Sequence, residues 1–274
     1  MSMKNVRARE FGEVLRVVIA DTGMNSRAIA EMLDWEERKL VDLINGDAGV
    51  SERDLALLLG VCRTPAEDRD RLLAVLPHLG RRGWWQEHGA CAPIRQRTLA
   101  EHERMARKLV SWQLSHLHTL MQLQEYTRAV VRAGANVPES EVDARVEART
   151  ARQVVLRLGL QCVFYVHESV LLAPVGGHEV MEAQLQHLQR LARRPHVEVR
   201  VVPLAAGAHA GLAGAFDLLT FERYDPVVFV ENENSSLVVE EPAAVAAYQR
   251  VVEALDGVAL DREESLGSIG QLLA

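Results

Sequence analysis

Several features that assign a protein class quickly are missing from this sequence. Its three cysteines, Cys62, Cys91 and Cys162, are odd in number and form no CxxC pair. Neither a disulfide framework nor a zinc knuckle is indicated, and a reducing compartment is expected. No stretch approaches the ~18 apolar residues of a membrane-spanning helix. The start, Met1 to Glu10, is polar and lacks the apolar core of a secretion signal. A cytoplasmic protein with no membrane association is therefore expected. Excess positive charge is also lacking: 31 Lys/Arg stand against 38 Asp/Glu, a net of −7, and the pI is near 5.8. Taken whole, that is not the basic footprint of a nucleic-acid binder. There is no internal repeat and no low-complexity tract.

What is present is ordinary soluble-globular composition, 48% hydrophobic and 25% charged over 274 residues, which excludes disorder as the main state and suggests about two domains. The charge is uneven. Residues 1–80 carry 11 Lys/Arg and 14 Asp/Glu, a net of −3; residues 81–158 carry 13 and 8, a net of +5; residues 159–274 carry 7 and 16, a net of −9. Segments so different in sign are expected to do different things.

Apolar periodicity predicts five short helices before residue 80. Residues 8–22 place Phe11, Val14, Leu15 and Val18 on one face, and Gly23 stops that helix. Asn25 or Ser26 caps SRAIAEML, with Ile29, Ala30 and Leu33 inward. EERKLVDLI turns Leu40, Leu43 and Ile44 inward and ends at Asn45-Gly46. Ser51 caps the fourth helix. Thr64 caps the fifth, with Pro65 at its first position and Glu67 at its third. Pro77 and Gly80 to Gly83 read as a linker, and Trp84–Trp85 as its anchor. Residues 98–134 read as long helical sequence rich in Ala, Leu, Met, Glu and Arg, and Pro138 opens another helix to about Leu158. Strands are expected at 161–166, 197–203, 216–221, 226–232 and 237–240, with a helix at His178–Arg193 and two terminal helices. The expected fold is mainly α with a C-terminal α+β part: a helical domain at 1–80, then 81–274, helical to 158 and with a small, partly antiparallel sheet beyond.

Residues 11–60 resemble the phage-repressor-type (XRE) helix-turn-helix. The likeness lies in TGMNSRAIAEMLDWEERKLVDLING and its flanks, with Gly23 before the second helix, Ala30 at the helix–helix contact and Gly46 after the third. The resemblance implies that the third helix enters the major groove. Glu37, Arg38, Lys39 and Asp42 would then face bases, and Ser26, Arg27, Asn45 and Arg53 would face phosphates. Arg38 or Lys39 suits guanine, and Glu37 or Asp42 suits cytosine N4. Where the family often buries an Arg–Glu ion pair, this chain has Ile19 and Ile44, a joint replacement that keeps a core sound. The loop after the third helix, with Asp47, Gly49, Val50 and Glu52, supplies none of the basic residues common there.

Residues 84–274 resemble the domain of unknown function that follows this helix-turn-helix in many actinobacterial regulators. The matching pieces are Trp84–Trp85, LMQLQEYTRAV (120–130), RVEARTARQ (145–153), GGHEVMEAQLQHLQRL (176–191), VRVVPLAAGAHAGLAGAFDLLTF (199–221) and VVFVEN (227–232). The usual Pro-Gly before the Leu-Leu-Gln is replaced by Leu117-His118-Thr119. The resemblance implies a transcriptional regulator, often acting with a small companion protein encoded nearby in an antitoxin-like arrangement.

Arg145, Arg149 and Arg152, spaced four and three apart, share one helical face. They suit an anionic ligand, an acidic partner, or carboxylates of the acidic C-terminal segment such as Glu168 and Glu231, the last being the blander reading. Phe216, Phe221 and Phe229 read as core. The small-residue segment Gly207–Gly214, with His209, is either a ligand-contacting loop or a plain connection. Enzyme readings fare poorly. His116 and His118 form an HxH, but flanks that read as helix would point them apart. HExxH, GxSxG and a Walker loop are absent. Gly176-Gly177 reads as a turn. No catalytic residue, metal site or cofactor is indicated. The expected function is a homodimeric regulator that reads double-stranded DNA at a roughly palindromic site. Its C-terminal domain would receive a small companion protein or a small-molecule effector. The alternatives are an antitoxin-like protein-binding module and a small-molecule receptor.

Overall fold

A computed structural model describes residues 6–45, 51–79, 84–87, 93–232 and 235–273. The chain divides into two units, Met1–Trp84 and Trp85–Ala274. The first is helical and the second holds a mixed sheet flanked by helices.

In the first unit, α1 (Val6–Asp21), α2 (Ser26–Met32), α3 (Glu37–Ile44), α4 (Glu52–Val61) and α5 (Ala66–Val75) enclose one apolar core. Phe11, Leu15 and Ile19, four apart, form the inner stripe of α1 and meet Ile29, Ala30, Leu40, Leu43 and Leu55. Gly23 turns the chain at φ +70°, a conformation that Gly adopts without steric cost. The Asn25 side chain then caps α2 by accepting from the Ala28 N–H at 2.9 Å. Ser51 and Asp54 form a reciprocal capping box on α4. Ile19 and Ile44 are both buried in the same core, so no charge is stranded there. Thr64 does not cap α5: Pro65 holds that position without a side-chain bond, and the buried Thr64 Oγ1 has no partner. Gly46, Asp47, Gly49, Val50 and the linker Gly80–Gly83 lie outside the described residues.

The second unit runs β1 (Trp84–Glu87), α6 (Pro93–Met105), β2 (Lys108–Gln113), α7 (Gln124–Arg132), α8 (Glu139–Arg152), β3 (Gln161–His167), α9 (Glu168–Leu172), α10 (His178–Ala192), β4 (Val197–Val202), β5 (Phe216–Thr220), β6 (Val227–Glu231), β7 (Ser235–Val239), α11 (Pro242–Asp256) and α12 (Arg262–Gln271). Among the described residues seven strands lie in the order β1-β7-β6-β5-β2-β3-β4. β2, β3 and β4 are parallel, while β5, β6 and β7 are antiparallel. The anchoring expected of Trp84–Trp85 rests on side chains outside the described ones.

The expectation of helix across 98–134 is corrected by β2, the strand that joins the parallel and antiparallel halves. Leu109 to Gln113 are all buried. Alternation sends Val110 and Trp112 to the face under α11, with Tyr165, Phe216 and Leu218, and leaves Leu109 and Ser111 for the other. Good helix formers on both sides supply only fractions of a kcal/mol per residue, and burial against two neighbouring strands outweighs that. Of the expected core phenylalanines, Phe216 and Phe229 are buried and Phe221 is half-buried. Gly176 and Gly177 have φ of +77° and +94° and form the turn before α10.

Trp112 also fixes the connection from β4 to β5. Its indole N–H donates to the Gly211 carbonyl at 2.8 Å, and a Cβ on Gly211 would lie 2.6 Å from the ring. Gly211→Ala is expected to lower stability by about 1–3 kcal/mol through overpacking. Gly267→Ala, inside α12 with nothing within 4 Å of the new carbon, is expected to raise it by about 0.4–1 kcal/mol. Thermal melts of the two variants check the contrast.

Candidate nucleic-acid interface and the buried polar layer

The N-terminal unit presents α3 outward. Glu37, Arg38 and Val41 are exposed and Asp42 half-buried, with Arg38 87% open and 3.7 Å from Asp42. Lys39 is held differently. Its ammonium binds Asp54 at 2.9 Å and lies 4.3 Å from the Trp35 ring centroid. The Lys39 bond leads the interactions that lower the Asp54 carboxyl below its ordinary value. Of the four base-facing candidates, Glu37, Arg38 and Asp42 therefore share an open face and Lys39 is tied to α4. Val41 belongs to that face and was missed; its position four residues after Glu37 is the signal that could have found it. Among the phosphate candidates, Arg27 pairs with Glu31 at 3.1 Å and Asn45 accepts from Arg16 at 3.0 Å. Ser26 is half-buried at the start of α2, and Arg53 is exposed.

In the second unit the three arginines of α8 separate. Arg145 pairs with Glu141 at 2.8 Å, and Arg149 is half-buried. Arg152 is 5% exposed and makes a two-pronged bond to Glu103 of α6, at 3.0 and 2.7 Å. Burial acts to lower the Arg152 pKa, but Glu103 outweighs it and the guanidinium stays charged. Glu168 accepts from the Leu204 N–H at 2.7 Å, and the charge of Glu231 also acts to raise the Arg152 pKa.

Beside this pair lies a buried polar layer. Ser111 stands opposite Asp217 in the β2–β5 register, and His118 Nε2 lies 3.3 Å from the Asp217 carboxylate. Burial pushes the Asp217 carboxyl up, but His118, Ser111 and Arg152 together hold it below its ordinary value. The expected helix around the HxH is absent, because His116 and His118 sit in the loop after β2. His118 stands where the resemblance expected Pro-Gly. Its Nδ1 accepts from the Leu120 N–H at 3.2 Å, which assigns the remaining ring proton to Nε2, facing Asp217.

That loop is buried, and side chains satisfy its backbone. Gln122 donates to the Leu117 carbonyl at 2.6 Å. Gln153 donates to the Thr119 and Gln122 carbonyls at 3.1 and 2.6 Å. Gln184 donates to the Met121 carbonyl at 2.7 Å and accepts from the Leu123 N–H at 2.6 Å. The Tyr126 hydroxyl accepts from the Leu117 N–H at 3.3 Å. Gln122 and Tyr126 belong to the LMQLQEYTRAV motif, which is thereby given a structural role.

His209 caps the 3₁₀ turn Ala210–Ala213 by accepting from the Gly211 N–H at 3.2 Å. It stacks on His167 at 5.9 Å and meets Trp112 edge-on at 5.3 Å. Its buried Nε2 has no hydrogen-bond partner. The Gly207–Gly214 segment is thus packed on Trp112. Among the described residues no group of three or more His, Cys, Asp and Glu is placed to hold a metal, and no helix is long and apolar enough to cross a membrane.

Helices around a seven-stranded mixed sheet, sealed by a polar layer, define the second unit as an α+β domain. Its residues 96–271 match the family model described as Domain of unknown function (DUF5753). The match spans more than half of the chain, which belongs to that family. No curated protein matches the chain, and no solved structure does.

Arg152→Met alone is expected to cost about 3–5 kcal/mol, because it strands the buried charge of Glu103; Arg152→Met with Glu103→Leu is expected to recover most of that. Denaturant titration of the single and double variants decides it. Acid should act through the histidines. Burial, the leading cause in each case, lowers the pKa of His116, His187 and His209 below the ordinary 6.5. The unfolded chain then binds more protons than the folded one just below that value, so stability falls as pH drops through 6.5 toward the folded values. Melting temperatures between neutral pH and mild acid should decline, and less steeply in His116→Asn.

Proposed function

We propose that the chain is a DNA-binding transcriptional regulator whose first unit is a helix-turn-helix of the phage-repressor type. α3 would enter the major groove of a roughly palindromic operator, one from each subunit of a homodimer. The second unit would receive the signal, from a small companion protein or a small-molecule effector.

The observation that supports this reading is the open face of α3, where Glu37, Arg38, Val41 and Asp42 lie together. Arg38 suits the O6 and N7 acceptors of guanine, Glu37 and Asp42 suit the cytosine amino group, and Val41 suits the thymine methyl. Phosphate anchoring is sparse, since Arg27 and Lys39 are in ion pairs. Affinity should therefore depend on dimerisation, which doubles the contacts, and fall with salt in proportion to the phosphates neutralised.

Those same ion pairs favour a second reading, in which the helix-turn-helix is an interaction module and the chain's main act is to hold a protein partner, as an antitoxin does. A gel shift at low salt with the DNA upstream of the protein's own gene separates the two. Retardation by the full chain is expected, with Arg38→Ala weakening it by about 1–3 kcal/mol and relaxing specificity without changing the melting temperature. No retardation at micromolar protein, with or without the neighbouring gene's product, overturns DNA binding. A stoichiometric small partner that stays bound after Arg38→Ala with Lys39→Ala favours the second reading.

A further inference from the structure

Several arginines on the second unit's surface are matched to carboxylates. Arg128 pairs with Asp143, Arg132 with Glu139, Arg145 with Glu141 and Arg200 with Asp256. Around one cleft the cations are left unmatched. Arg104, Arg107, Lys108 and Arg157 are all exposed, and among the described residues none of them lies within ion-pair distance of a carboxylate. Arg104 and Arg107 line a cleft of about 410 Å³ between the end of α6, the turn after α8 and the starts of β2 and β3, and Lys108 and Arg157 adjoin lining residues in the chain. Glu103 reaches this cleft, but Arg152 occupies its carboxylate. The lining is apolar as well as basic, since Leu158, 72% exposed, belongs to it.

The combination narrows the occupant. Unpaired cations call for an anionic partner, and electrostatic complementarity at a rim favours capture and register. A phosphate or a nucleic-acid backbone has no use for an exposed leucine beside its cations. An acidic polypeptide with an apolar side chain uses both, the apolar group entering the cleft and its carboxylates meeting the arginines. We propose that this cleft is the docking site for an acidic, apolar-anchored segment of a partner protein. This gives a place to the companion protein of the proposed function; it does not require that the first unit bind DNA.

The cleft has a built feature that suits signalling. Its wall includes the C-terminal end of α6, where Glu103 is bonded to Arg152 of α8, and the backbone of Arg107 is bonded to both Thr220 and Gln161. An occupant would press on a segment tied to both neighbouring strands of β2.

The test uses the full chain and a short fluorescent peptide in which glutamates alternate with leucines. Competitors are the same peptide with serine for leucine, inorganic phosphate, and a short DNA duplex. Saturable binding is expected, weakened by about tenfold or more, or about 1.4 kcal/mol, both in Arg104→Glu with Arg107→Glu and in Leu158→Ser. All three positions are exposed, and unchanged melting temperatures would show that the variants remain folded. The serine peptide and phosphate should compete poorly. No saturable binding by the unaltered chain overturns the proposal, as does binding indifferent to either variant. Equal competition by phosphate or by the duplex reassigns the patch to a simple anion site or to nucleic acid, and also overturns it. A gel shift on the same variants keeps the outcomes separate: docking can fail while α3 still binds DNA, and the reverse.

Discussion

The second unit depends on burying a length of irregular chain directly after its central strand. After leaving β2 the chain turns back inside over residues 117–122, with Leu117, Leu120 and Met121 at 1% exposure or less. A buried loop carries peptide groups with no helix or sheet to satisfy them, and an unpaired one costs on the order of 1–3 kcal/mol. Gln122, Gln153, Gln184, Tyr126 and His118 answer that demand from the loop itself, α7, the turn after α8 and α10. Because these side chains come from elements far apart in sequence, the loop can be satisfied only when those elements are already in place. The polar requirement thus makes the packing of three helices against the sheet a single event, more specifically than apolar contact would.

The same logic extends to charge. Arg152 and Glu103 are both buried and each is the other's compensation, and Asp217 has His118, Ser111 and Arg152 around it. Buried ion pairs of this kind add little net stability over apolar residues of the same shape. The Arg152–Glu103 pair ties α8 to α6 at one point of contact. Cations that are not needed for this purpose stay at the surface, and around the α6–β2 junction several of them stand unmatched beside an open cleft.

How much of this could be read from the sequence follows from the range of the interactions concerned. The helical core of the first unit was legible because its signals are local: Phe11, Leu15 and Ile19 are spaced four apart, and Asn25 and Ser51 precede the helices they cap. The strands from β3 onward were legible from β-branched runs. β2 was not, since Trp112 and its neighbours declare themselves only through β3 and β5, which lie roughly 50 and 100 residues downstream in the register. The arginine triad illustrates the same limit. Spacing placed Arg145, Arg149 and Arg152 on one face, but Glu103 as the partner of Arg152 depends on how α6 crosses α8. On α3, the helical face was legible, whereas the tether of Lys39 to Asp54 and Trp35 needs the position of α4.

The outer strand β4 is finished by its own chain. The Val201 N–H donates to Ser265 at 2.9 Å, and the Val201 carbonyl accepts from the Leu260 N–H at 2.8 Å. Peptide groups engaged in this way offer no template to another strand at that position. The sheet is therefore blocked at Val201 on the side beside α12, and bounded at the opposite end by the short β1. Any assembly by strand addition through Val201 would first have to displace Ser265 and Leu260.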